Sequence, residues 1–158
     1  ALPARVGLDF HVVDNAATCA GGREAFAGDA GISFHTDRPE LAAIDVLHLG
    51  SVIQYVEDWR GFLADAQAAG PDWFLISDAW AGEVETFITA QTFYGKRVPC
   101  RFLNIGELIA AVEGNGHRLV MRTEYDRTML GRRDPLPMEA LPERCRFPYA
   151  HHLLFRKA

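Results

Sequence analysis

The sequence is poor in sulfur, with three cysteines (Cys19, Cys100 and Cys145) and three methionines among 158 residues. The cysteines are odd in number, form no C-x-x-C pair and keep no regular spacing, which excludes a disulfide framework. No apolar run approaches the ~18 residues of a membrane-spanning helix and no signal-peptide core is present. Together with the cysteine usage, this leads us to expect a reducing, cytoplasmic setting and no membrane span. Positive charge is scarce as well. Sixteen Lys and Arg face 21 Asp and Glu, for a net charge of -5, and no basic cluster exceeds Arg132-Arg133 or Arg156-Lys157. A protein whose main work is gripping nucleic acid or acidic lipid needs a denser basic surface, so we expect no nucleic-acid partner. No repeat, low-complexity tract or polar linker divides the chain, and its 49% hydrophobic content suits one core. Residues 1–158 therefore read as a single domain.

What the sequence does hold is an alternation of strand and helix patterns. Leu8 to Asp14 reads as a strand ending on a carboxylate, and Gly31 to Thr36 as a second, separated by a short helix around Arg23 to Phe26. Ile44 to Gly50 is nearly all apolar, as in a parallel strand covered on both faces. Trp59, Phe62, Leu63 and Ala66 recur at helical spacing and stop at Gly70-Pro71. Trp73 to Ser77 is a further strand, closing on Asp78. The stretch from Ala79 to Phe102 shows no regular pattern and is expected to be an insertion over one end of the sheet. Ile105, Leu108, Ile109 and Val112 mark another helix, His117 to Tyr125 alternates like an edge strand, and Pro148 to Arg156 is a last strand after an Arg- and Pro-rich loop. Strands alternating with helices predict a mostly parallel α/β sheet, and the two late strands, with no helix between them, predict an antiparallel pair at its C-terminal edge. Ligands of such open sheets sit beyond the carboxyl ends of the strands, which directs attention to Asp14, His35-Thr36, Gly50-Ser51 and the stretch Asp78 to Trp80.

The segment Asp45 to Tyr55 (DVLHLGSVIQY) resembles the fourth-strand region of class I S-adenosylmethionine-dependent methyltransferases. With Thr89-Ala90-Gln91, Tyr94, Pro99 ahead of Phe102-Leu103-Asn104, and Gly116 to Val120, the likeness is closer still to a methyltransferase family of bacterial polysaccharide and lipopolysaccharide gene clusters. It covers about three quarters of the chain. The resemblance implies a Rossmann-like fold, S-adenosylmethionine as methyl donor, and a small-molecule or saccharide acceptor methylated at oxygen. Its glycine loop after the first strand, where glycine lets the backbone approach the cofactor, has no counterpart in this sequence. The first strand and its loop are thus expected to be missing or truncated, with Ala1 to Val6 as a possible remnant, and the start at Ala1 instead of Met is expected to leave residues upstream. The alternative that this leaves open is a non-catalytic, methyltransferase-like binding or assembly module.

On this reading, Asp14 takes the ribose hydroxyls, with a turn or helix cap as its structural alternative. His35, Gly50 and Ser51 complete the cofactor set, Gly50-Ser51 being equally readable as a strand-to-helix cap. Transfer to oxygen needs a group to take the hydroxyl proton, for which Asp78, His48 and Tyr94 are the candidates. A histidine inside an apolar strand is otherwise a hydrogen-bonded core residue. Gln54, Tyr55, Trp80 and Gln91 are candidates to shape and hydrogen-bond the acceptor, against core packing of the two aromatics. His151-His152 alternate across one strand and give no metal site. Cys100 lacks a partner base. The basic loop with Arg127, Arg132, Arg133, Arg144 and Arg146 could steer an acidic acceptor or be a solvated face.

Overall fold

A computed structural model describes residues 7–93, 95–129 and 131–158, and divides into two compact units, 1–42 and 43–158. Ala1 to Val6 and the candidate Tyr94 lie outside the described residues. In the first unit, β1 (Phe10–Val13) and β2 (Ile32–His35) pair in parallel, joined through α1 (Ala16–Ala25). The helix is longer than the expected turn around Arg23 to Phe26. Its Gly21-Gly22 pair masks it in the sequence by lowering helix propensity, yet two local features secure it. The Asn15 carboxamide oxygen accepts from the backbone N–H groups of Ala17 and Thr18, so Asn15 and not Asp14 is the cap. Gly22 lies so close to the Phe34 ring that a Cβ would come within 2.2 Å of it. The helix therefore rests on β2 only because residue 22 has no side chain. Cys19 is fully buried beneath it, donating its thiol to the carbonyls of Asp14 and His35.

The second unit opens with β3 (Val46–Gly50), α2 (Trp59–Ala68) and β4 (Trp73–Ala79), the two strands parallel. Asp58 caps α2 by accepting from the Gly61 N–H. After β5 (Ala81–Gly82), β6 (Phe87–Phe93) and β7 (Lys96–Asn104), α3 (Ile105–Glu113) starts on its Asn104 cap. Then come β8 (His117–Tyr125), two short strands β9 (Thr128–Met129) and β10 (Arg132–Arg133), and finally β11 (Ala150–Lys157). The main sheet of this unit has the order β3-β4-β11-β8. β11 runs antiparallel to both of its neighbours. The antiparallel C-terminal pair is therefore present, but the sheets are mixed rather than mostly parallel.

Among the described residues of this unit, α2 and α3 cover one face of the sheet. Leu49, Phe74, Ile76, Leu153 and Phe155 point to that face and meet Leu63 of α2 and Leu108 and Val112 of α3, all buried in one cluster. Each such side chain removed from water contributes roughly 1.5–3 kcal/mol. A buried polar strut reinforces it: Gln67 Nε2 donates to the Val112 carbonyl and to His117 Nδ1, and His117 Nε2 donates to the Pro71 carbonyl. On the other face the row His48-Leu75-Leu154-Met121 runs across the four strands, and Val46 and Met121 are exposed. The apolar run of Ile44 to Gly50 thus does not mean a strand covered on both faces.

The stretch expected to be irregular, Ala79 to Phe102, is largely an antiparallel hairpin of β6 on β7, with β5 added in parallel to the end of β7. Its alternation is hidden because Thr89 and Gln91 take positions on the Phe87 face that a one-faced strand gives to apolar residues, and because the apolar Ile88 and Pro99 stand on the other face beside Arg97 and Arg101. The hairpin is held by its own aromatic cluster. Phe87 stacks on Phe102 with centroids 5.0 Å apart, and Trp80 and Phe147 pack against Phe102.

Candidate functional site

In the first unit, the polar end of β1-β2 carries two of the candidate residues. Asp14 is exposed, and its Oδ1 accepts from the backbone N–H and side-chain Nδ2 of Asn15. Oδ2 takes part in neither bond. His35 is half-buried and turned to its neighbours: its Nε2 lies 3.0 Å from His11 Nδ1 and 3.1 Å from Ser33 Oγ. The other ring nitrogen of His11 lies 3.2 Å from the Asp9 carboxylate. His35 is thus a member of a histidine–serine cluster.

In the second unit, two left-handed residues stand near the carboxyl ends of β3 and β4, Ser51 just after β3 at φ 51° and Asp78 within β4 at φ 52°. For residues with a side chain such backbone is strained, and it persists where the surroundings fix it. Here they do. The Ser51 hydroxyl donates to Asp78 Oδ2 (2.7 Å), Arg127 Nε donates to Asp78 Oδ1 (2.8 Å), and the Asp78 N–H donates to His152 Nδ1 (3.2 Å). Asp78 therefore does not close a strand as a free carboxylate. It is 8% exposed with both oxygens engaged, because β4 continues to Ala79. Arg127 is also paired with Asp134 and stands 5.1 Å over the Trp80 ring. Arg133 is paired with Asp126, and Arg146 donates to the Leu141 and Glu139 carbonyls. These three arginines of the basic loop spend their charge and donors on the chain itself.

His48 and Ser77 stand on neighbouring strands with Nε2 and Oγ 2.6 Å apart. Desolvation, and secondarily the nearby His152, hold the His48 pKa below its ordinary value. Gly50 sits against this pair, and a Cβ there would lie 3.2 Å from His48 Cε1. A side chain at position 50 would press on the His48 ring, which would have to shift by a few tenths of an ångström.

The acceptor candidates gather around a cavity of about 320 Å³ whose lining includes Gln54, Tyr55, Ile88, Pro99, Cys100 and Arg101. Gln54 and Tyr55 come from the turn of 3₁₀ helix at Ile53–Tyr55. The Tyr55 hydroxyl donates to Gln91 Oε1 on β6 (2.8 Å). Burial, then the neighbouring Cys100, raises the Tyr55 pKa, and burial raises that of Cys100. Gln54 stands near the Tyr55 hydroxyl and opposes that rise, but no hydrogen bond closes between them. Gln54 is 1% exposed, and neither Nε2 nor Oε1 has a partner among the described residues. An Arg101 guanidinium N–H donates to the Val56 carbonyl. Trp80 is 3% exposed, in edge contact with Tyr55, with its Nε1 also unpartnered. It backs the Tyr55 ring.

The structure thus brings together Gln54, Tyr55 and Gln91, with Trp80 behind them, and separately Ser51 with Asp78. Sequence reading passed over Ser77 and the pairing of Arg127 with Asp78. The first depends on strand register, which places Gly50 opposite Ser77, and the second on the loop that follows β8.

No protein-family model and no curated protein matches the sequence. The fold itself is that of the S-adenosylmethionine-dependent methyltransferases. A protein of Listeria monocytogenes assigned to that class superposes with a TM-score of 0.64 at 10% identity, over 95% of this chain and 80% of that one. A methyltransferase of Mesorhizobium loti gives 0.58 at 14% identity, over 94% and 80%. The CcbJ methyltransferase of Streptomyces caelestis gives 0.56 at 13% identity, over 96% and 76%.

Proposed function

We propose that this chain is an S-adenosylmethionine-dependent methyltransferase acting on a hydroxyl of a small-molecule or saccharide acceptor. The observation that carries the reading is the fold likeness over nearly the whole chain. It is supported by neighbours that include a glycopeptide N-methyltransferase solved with S-adenosylhomocysteine and an O-methyltransferase, NcsB1, solved with that product and 1,4-dihydroxy-2-naphthoic acid. A polysaccharide-pathway acceptor and a cytoplasmic setting belong to the same proposal. The cofactor, when bound, supplies a methyl group on a sulfonium, open to attack by an acceptor oxygen. Asp14 suits the ribose end, since its exposed carboxylate ends a strand with Oδ2 outside the Asn15 bonds. Ser51, with its hydroxyl donated to Asp78, keeps oxygen lone pairs with which to accept from a ligand.

Of the described candidates for the acceptor's proton, His48 fits better than Asp78. Its depressed pKa keeps the imidazole neutral and able to accept, whereas Arg127 and Ser51 occupy the Asp78 oxygens. Asp78 then acts as a positioning residue for Ser51. Gln54, Tyr55 and Gln91 hold the acceptor. Catalysis in such a site is largely alignment of acceptor and methyl group, so few reactive side chains are needed.

Calorimetry with S-adenosylmethionine and S-adenosylhomocysteine tests the reading. Micromolar binding that is lost in Asp14→Ala supports it. No binding of either molecule refutes it and leaves the non-catalytic binding or assembly module.

A further inference from the structure

The Gln54 amide is a polar group out of place. It is 1% exposed, lines a cavity, and offers an N–H donor and a carbonyl acceptor that no described residue meets. Buried amides are nearly always satisfied, and one left open in a cavity wall marks where a partner belongs. Both atoms are shielded from water, and an occupant would reach them if the adjoining Tyr55 ring moved aside. That ring is 41% exposed and tethered through its hydroxyl to Gln91. The other walls narrow the chemistry. Ile88, Val98 and Pro99 are apolar, Glu57 and Arg101 bring one charge of each sign, the latter donating to the Val56 carbonyl, and the Tyr55 hydroxyl and Cys100 thiol are both held in their neutral forms.

We infer that the cavity takes a neutral acceptor with an apolar body and a primary carboxamide or lactam edge, paired with Gln54 through two antiparallel N–H···O=C hydrogen bonds. This rests on the reading of the cavity as the acceptor site. A primary amide or a lactam presents N–H and C=O on one side, matching the donor and acceptor of Gln54. The acetamido group of an N-acetylated sugar has them on opposite sides and meets only one. The pairing satisfies both open atoms at once, while a plain hydroxyl satisfies one. The volume, about 320 Å³, lies at the small end of sites that hold small molecules, and it suits a ligand of one or two rings.

The test is calorimetric titration of the full chain, without methyl donor, with 2-hydroxybenzamide and with its N,N-dimethyl derivative. The dimethyl derivative keeps the ring, hydroxyl and carbonyl but loses the amide N–H groups. We expect the primary amide to bind roughly tenfold to a hundredfold more tightly, the range that follows from leaving a buried partner unpaired, and we expect Gln54→Met to close the gap. Equal affinities in the wild type, no binding of either compound, or a gap that survives in Gln54→Met overturns the inference. If Gln54→Met fails to fold, the side-chain amide resonance of Gln54 decides: it must shift with the primary amide and stay in place with the dimethyl derivative. Because no S-adenosylmethionine is present, failure here is distinct from failure of the methyltransferase reading, which the cofactor titration detects.

Discussion

Replacing Arg127 by Met should destabilise the protein by about 3 kcal/mol, toward the lower end of the ~3–5 kcal/mol for breaking a buried ion pair. The variant keeps the length and apolar stem of the side chain and removes the guanidinium. It loses the 2.8 Å bond to Asp78 and the weaker one at 3.4 Å to Asp134. The Arg127 and Asp78 side chains are 16% and 11% exposed, so solvent does little to replace the missing charge. Asp78 still receives the Ser51 hydroxyl, which is why the loss falls toward the lower end. Loss of the cation above Trp80, ~0.5–1 kcal/mol, is included in the total of about 3 kcal/mol. With a urea dependence of ~2 kcal/mol per molar for a domain of this size, the unfolding midpoint should fall by about 1.5 M. The partner variant is Asp78→Asn, because asparagine tolerates the φ of 52° at this position. The double variant should be less destabilised than the sum of the two singles by ~2 kcal/mol, since removing the charge also removes the reason to need Arg127. A loss below ~1 kcal/mol for Arg127→Met, the value of an exposed pair, or additive single effects, would refute the reasoning.

Other perturbations follow from the packing. Gly82→Ala would set a Cβ 2.5 Å from Phe147 Cγ and 2.8 Å from its Cβ, atoms that cannot swing aside. A loss of ~1–3 kcal/mol is expected in urea titration. Gln67→Leu leaves the Val112 carbonyl and His117 Nδ1 without their shared donor; at ~1–3 kcal/mol for an unsatisfied buried group, it should lower the melting temperature and speed amide exchange in α3. The pH dependence has a definite sign. His48 and His151 both have folded pKa values depressed by burial from an ordinary 6.5, so protonation favours the unfolded chain. Their contribution to stability is fully present above pH 6.5 and is lost as pH falls from there through the lowered folded values. Urea midpoints measured from pH 8 downward should decline in that window, and the decline should shrink in His151→Gln. A rise on acidification would contradict the assignment.

The sequence discloses those parts of the fold whose side chains repeat with one period. Trp59, Phe62, Leu63 and Ala66 locate α2, and alternation locates β8 to the residue, His117–Tyr125. It conceals elements secured by something other than periodicity. α1 depends on an Asn15 cap and on a glycine under Phe34. The β6-β7 hairpin sits on an aromatic cluster, with polar residues along both strands. The continuous apolar run of β3 misled in another way, because a strand can be apolar throughout and still leave Val46 exposed. For the candidate site, neighbours in the chain such as Gln54 and Tyr55 line one cavity, and that grouping is legible from their adjacency. The sequence is silent where a grouping depends on pairing between distant segments. That Ser77 faces His48, and that a loop arginine 49 positions away closes on Asp78, are facts of pairing that composition does not carry.

Pro99 gives the cavity a property of its own. A proline fits a ladder only where its nitrogen faces away from the partner strand, so the register Ala90↔Pro99 turns the donorless side of residue 99 away from β6. Both neighbours of this residue, Val98 and Cys100, also line the cavity, and at this point their wall has no N–H to offer. Pro99→Ala would introduce a backbone donor there without disturbing the β6-β7 pairing, which makes position 99 a place where the hydrogen-bonding character of the cavity can change while the fold stays the same.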